Sequence, residues 1–145
     1  MTDEPVSYAG PLFRRNGVRL CGPNAAGVVP GGHYSHAVVA GGFVFVSGQL
    51  PIPPSGVKDP TLPVGEQTAL ALENLRLALA AAGAQLTDVV KVNAYLTTEE
   101  HWAAFNTAYA AFFGEHRPAR AVVPVLPLHY GFLVEIEATA WIGGR

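Results

Sequence analysis

The chain has 145 residues, half of them apolar, with nine basic residues and a formal net charge of −2. That length suits one domain with a sizeable core, and the modest basic content leaves no electrostatic footprint for nucleic acid or an anionic membrane. Charged residues make up only 14% of the chain, against roughly 25% in ordinary soluble domains, which points to an oligomer and to a small-molecule ligand.

The single cysteine, Cys21, excludes an intramolecular disulfide and a thiolate metal cluster, in keeping with a reducing compartment. No apolar run approaches the ~20 residues of a membrane span, and Met1 to Pro5 lacks the basic start and apolar stretch of a signal peptide. A cytoplasmic location is the resulting expectation.

Residues 1–32 are rich in Gly, Pro and Ala, with one short apolar run around Val18 to Cys21; they read as an N-terminal arm holding one strand, ahead of a single domain over 33–145. His36 to Ala40, Gly41-Gly42 and Phe43 to Ser47 read as a hairpin whose two glycines suit the positive φ angles of a type I′ turn. Pro51 to Pro63 holds five prolines in thirteen residues and reads as an irregular loop. A helix follows from Val64. Leu72, Leu75, Leu79 and Ala82 recur at helical spacing, and Gly83 supplies a left-handed stop.

Asp88 to Leu96 alternates as a strand, and the strand–helix–strand order implies a parallel crossover. Thr97-Thr98-Glu99-Glu100 has the form of a capping box opening a second helix, in which Trp102, Phe105, Tyr109 and Phe112 form the apolar stripe, ending near Gly114. Two further strands close the chain. In the last, Val134, Ile136, Ala138 and Ala140 alternate with Glu135, Glu137, Thr139 and Trp141, so one face is apolar and the other carries two carboxylates. The whole is an α+β fold with two helices on one face of a mixed sheet. Nothing is left to cover the other face except another subunit.

Arg120 opens a strand of small and β-branched residues, where a long cation requires an anion to meet its fork. That anion is either Glu135, in a structural bridge at a subunit contact, or a ligand. Other chemistries find little support. His33 and His36 are spaced His-x-x-His without Cys, Asp or Glu at ligand spacing, so no metal is expected. There is no phosphate loop, and Ser47 does not sit in a Gly-x-Ser-x-Gly elbow.

Several separated stretches belong together: Tyr34-Ser35-His36-Ala37-Val38, Ser47-Gly48-Gln49, Gln67 to Asn74, Ala82-Gly83, Asp88 to Lys91, Phe105-Asn106 with Tyr109, Phe112 and Phe113, Arg117-Pro118-Ala119-Arg120, and Val134-Glu135-Ile136-Glu137. As a set they resemble the Rid/YjgF imine-deaminase family. The resemblance runs from about Gly32 to Trp141. It implies a chorismate-mutase-like fold and a cofactor-independent homotrimer with sites in the clefts between subunits. The implied activity is that of a 2-iminobutanoate/2-iminopropanoate deaminase-like hydrolase, which converts reactive enamine or imine acids such as 2-aminoacrylate to 2-oxo acids and ammonia.

By the same resemblance, Arg120 binds the substrate carboxylate bidentately and Glu135 orients or deprotonates the attacking water. Tyr34, Ser47 and Asn106 line the cleft, and the main chain at Val122 contacts the imine nitrogen. Read from the residues alone, Asn106 is equally a helix residue bonded to a neighbouring loop, Tyr34 a packed aromatic and Ser47 a turn hydroxyl. The chain departs from the family pattern at His129, where Pro is usual, at His36, where Gln is common, at Val122 and in the longer arm. With Tyr130, His129 is expected to edge a larger pocket. An aminomuconate-like imine, a non-catalytic trimer that binds small carboxylates, and the ribonuclease activity ascribed to some members are the alternatives; the low basic count speaks against the last.

Overall fold

A computed structural model describes residues 11–15, 17–21 and 28–144. Its elements, in chain order, are β1 (Pro11–Arg15), β2 (Val18–Cys21), β3 (Ala37–Ala40), β4 (Phe43–Gln49), α1 (Val64–Ala81), β5 (Val89–Leu96), α2 (Trp102–Phe113), β6 (Ala119–Pro124) and β7 (Val134–Trp141). The strands form one sheet in the order β1-β2-β3-β4-β7-β5-β6. The arm thus contributes two paired strands where one was expected, and β2 extends the sheet antiparallel to β3. Cys21 is buried in the core, and Arg19 donates to the carbonyl of Ala82 at 2.8 Å, placing a cation at the C-terminal end of α1 where the helix dipole favours it.

The β3–β4 hairpin turns on Gly41 and Gly42, with φ of 56° and 84° and Ala40 paired to Phe43, as a two-residue type I′ connection requires. The parallel crossover is split. α1 links β4 to β5, but β7 lies between them, antiparallel to both. Only β5 and β6, joined through α2, are parallel neighbours. The last strand fills the gap because its apolar face (Val134, Ile136, Ala138, Ala140) is fully buried under the helices.

In α1 the stripe Leu72, Leu75, Leu79 and Ala82 is buried. The helix closes in a Schellman arrangement, with Gly83 N donating to Ala80 O (3.0 Å) and Ala84 N to Leu79 O (2.8 Å), which Gly83 permits at φ 82°. In α2 the buried stripe is Phe105, Tyr109 and Phe113. Trp102, expected in the core, stands at the first helical position above the edge strand and walls an open groove with Val122 and Pro124. The expected cap is also displaced: Thr98 accepts from Glu100 N at 3.3 Å over a 3₁₀ turn, Glu99–His101, and α2 begins after it.

Among the described residues, no helix lies on the second face of the sheet. Phe43, Phe45 and Trp141 lie on it 39%, 47% and 44% exposed, with Phe43 and Trp141 in register and their rings 4.8 Å apart. Beside them Glu137 accepts hydrogen bonds from Tyr95 and Asn93, and its carboxylate pushes the Tyr95 hydroxyl up to about 12. Apolar surface of this kind is worth about 25 cal/mol per Å² when it is removed from water.

Candidate active site

Glu135 alternates with the buried residues of β7 and so projects on the side away from the helices. There it meets a bulge in β4, where pairing slips between Val46 and Gln49. Gly48 sits in that bulge, and a Cβ on it would collide with the Glu135 carboxylate; only glycine allows the approach. Glu135 borders a cavity of about 510 Å³ that Tyr34, Ser47, Lys58, His129 and Tyr130 also line. Burial pushes its carboxyl above the usual range, while His129 pulls it down and Glu137 adds to the rise.

The remaining walls are pinned from α1. Asn74 donates to the carbonyls of Leu50 (2.9 Å) and Ile52 (2.7 Å). Two turns earlier Gln67 donates to Pro60 (3.0 Å) and Leu62 (2.9 Å) and accepts from Leu133 N (2.9 Å). Both side chains are buried, so the proline-rich loop is held by two satisfied amides on one helix face. Ser47 donates its hydroxyl to Ser35 O at 2.6 Å, and the Tyr34 hydroxyl accepts from Gly31 N at 3.3 Å.

His36 is buried behind these residues. Its Nε2 lies 2.8 Å from Val28 O and its Nδ1 3.4 Å from Gln49 Nε2. A carbonyl only accepts, so Nε2 carries the proton and Nδ1 accepts from the amide. Burial accordingly lowers its pKa below the ordinary value. Both ring nitrogens are committed to the segment that walls the cavity.

The turn before β7 is strained. Tyr130 has φ 62° and ψ 12°, a left-handed conformation that costs a non-glycine residue on the order of 1–2 kcal/mol. It brings the ring to the cavity mouth, with the Lys58 ammonium 4.9 Å from its centroid.

Arg120 lies elsewhere. On β6 it pairs with buried Val92, and so points to the helix-covered side. Its Nη1 donates to Asn106 Oδ1 at 3.0 Å, and its guanidinium lies 4.6 Å from the Tyr109 ring centroid and 5.6 Å from that of Phe105. Glu135 pairs with Tyr95 on the opposite face. The bridge between Arg120 and Glu135 within one chain therefore does not form; the fork rests on Asn106 and two rings and keeps N–H groups for another acceptor. Asn106 serves the arginine, not a loop. Burial pushes the Tyr109 hydroxyl up to about 12, and it has no hydrogen-bond partner among the described residues.

The candidate residues thus fall into two groups. Tyr34, Ser47, His129 and Glu135 share one cavity, while Arg120 and Asn106 share one contact, with Val122 two residues along β6 in the groove beneath Trp102. Three positions escaped the sequence reading. Gly48 was legible only as a turn residue, Lys58 was hidden in a loop without periodicity, and Tyr109 looked like a core aromatic.

The endoribonuclease L-PSP family model matches residues 25–142. A RutC family protein of Pyrococcus horikoshii is 44% identical over 112 residues, covering 77% of this chain and 89% of that protein. The crystal structure of Escherichia coli TdcF with bound serine superposes with a TM-score of 0.71 at 35% identity, covering 83% of this chain and 92% of the other. RidA from an Antarctic Psychrobacter gives a TM-score of 0.74 at 36% identity, over 83% and 94% of the two chains. Sequence and fold agree along most of the chain, which belongs to the YjgF/RidA/RutC family, whose family model carries the endoribonuclease L-PSP name.

Proposed function

We propose that the protein hydrolyses reactive 2-imino acids and their enamine tautomers, 2-aminoacrylate among them, to 2-oxo acids and ammonia, without a cofactor, at sites shared between the subunits of a homotrimer. The observation that carries this reading is the division of the candidate residues between two faces: an arginine with free N–H groups on one, a desolvated carboxyl on a cavity on the other. A rotated copy of the chain can bring the two together, as closed symmetry allows. Relatives that bear the reactive intermediate deaminase name, and a TdcF structure holding serine, a small amino acid, favour the same class of ligand.

In this reading Arg120 takes the substrate carboxylate in its fork, held flat by Tyr109 and steadied by Asn106. Glu135 accepts a proton from water as the oxygen attacks the imine carbon. Glu135 returns that proton to the nitrogen to give a neutral carbinolamine, then takes the hydroxyl proton and passes it to the amino nitrogen as the C=O bond forms and the C–N bond breaks, so that ammonia leaves with the 2-oxo acid. The Val122 main chain holds the nitrogen. A carboxyl raised by burial is a better base than an exposed one, because its proton affinity lies nearer neutrality.

The test is ammonia release from imines made in situ by an amino-acid oxidase. Arg120→Ala removes a charge-assisted contact worth roughly 1.5–3 kcal/mol, so carboxylate binding falls about tenfold or more, and Arg120→Lys recovers little. Glu135→Gln leaves binding in place and slows hydrolysis about a hundredfold. Full activity in Arg120→Ala removes the assignment. No turnover by the native protein leaves a carboxylate-binding trimer, and RNA cleavage in a parallel assay leaves the ribonuclease that the family model's name describes.

A further inference from the structure

Lys58 is the one cation of the cavity-lining set with an aliphatic stem, and the reading above gives it no task. Its ammonium stands 4.9 Å from the centroid of the Tyr130 ring, and no carboxylate among the described residues pairs with it. The adjacent Asp59 is engaged locally, accepting from Thr61 N at 3.0 Å and from the Thr61 hydroxyl at 2.6 Å. An ammonium resting on an aromatic face keeps its three N–H donors for an anion. The loop that carries it is fixed by Gln67 and Asn74, and the ring beneath it is brought to the cavity mouth by the left-handed turn at Tyr130. A residue type that tolerates φ 62° poorly is used there to set an aromatic face beneath the lysine, in the lining that both share with Glu135.

We propose that Lys58 is a specificity-determining residue, and that the cavity takes 2-imino acids whose side chain ends in a second carboxylate. The inference rests on the deaminase reading for the reaction itself. With the first carboxylate on Arg120 of a neighbouring copy and the imine carbon at Glu135, the side chain extends into the cavity that Lys58 and Tyr130 close. An apolar side chain leaves the ammonium unmet there. A terminal carboxylate gains a charge-assisted hydrogen bond with Tyr130 shielding one side from water.

The experiment compares 2-iminoglutarate with 2-iminobutanoate, each generated in situ by oxidation of the amino acid, in the native protein, Lys58→Met and Lys58→Arg. The native protein is expected to favour 2-iminoglutarate in kcat/KM by about tenfold or more, the size of one charge-assisted contact. Lys58→Met should bring that ratio down by the same factor, chiefly through KM, and Lys58→Arg should keep most of it. A native ratio at or below one, or a ratio unmoved by Lys58→Met, overturns the proposal. If neither imine is hydrolysed the deaminase reading fails, and calorimetry with 2-oxoglutarate and 2-oxobutanoate then decides on Lys58 alone. Tighter binding of 2-oxoglutarate that disappears in Lys58→Met supports it, and equal binding of the two overturns it.

Discussion

Arg120 and Glu135 stand on opposite faces of one sheet, the first in register with Val92 under the helices and the second with Tyr95 on the open side. No side-chain rotation joins them within a protomer. If one ligand uses both, the two groups come from different copies, and the variants should complement one another. Arg120→Ala and Glu135→Gln, each nearly inactive alone, should regain activity when refolded together, since about a quarter of randomly assembled sites then pair an intact arginine with an intact glutamate. Absence of any recovery in mixed trimers verified by mass spectrometry would show that the site lies within one chain.

Gly48 sets how close the Glu135 carboxylate comes to the β4 bulge. Gly48→Ala should displace that carboxylate, which is the mobile end of a side chain, more than it disturbs the backbone. Imine hydrolysis is expected to fall about tenfold or more, as misplacement of a catalytic group by ~1 Å does, with the melting temperature changed by only a few degrees. Normal kinetics in a folded Gly48→Ala protein would take Glu135 out of the mechanism.

His129 contributes positive charge that lowers the Glu135 carboxyl against the effect of burial. His129→Gln removes that charge, so the Glu135 pKa should rise and the acid limb of the kcat/KM profile should move to higher pH. A limb that moves down or stays fixed separates His129 from Glu135. An equal and total loss on every imine would instead make His129 the acid or base.

Stability should depend on pH through His36. Its folded pKa is held below the ordinary 6.5 by burial, so the unfolded chain binds more protons between the two values. The stabilisation is complete above about pH 6.5 and declines as pH falls through the lower folded value. Protonation also sets an Nδ1–H against the Gln49 amide that now donates to it. Urea unfolding between pH 5 and 8 should show this slope in the native protein and a flatter one in His36→Gln; identical slopes would assign it to other groups.

The sequence by itself determined the local elements: the Gly41-Gly42 hairpin, the Gly83 stop, the helical stripe ending in Ala82 and the alternation of β7 are set by φ preferences and by periodicity, which neighbouring residues carry. It also marked Arg120 and Glu135, because charges in apolar strands demand partners, and it carried a family resemblance that the comparisons bear out. Tertiary structure alone decided the rest. That β7 enters between β4 and β5, that Trp102 stands over an edge strand outside the core, and that Arg120 rests on Tyr109 and Asn106 while Glu135 meets Gly48 and shares a cavity with Lys58 all depend on long-range pairing. Sheet order and the face on which a side chain emerges are fixed by strands distant in sequence, and a one-residue change of register would exchange the faces.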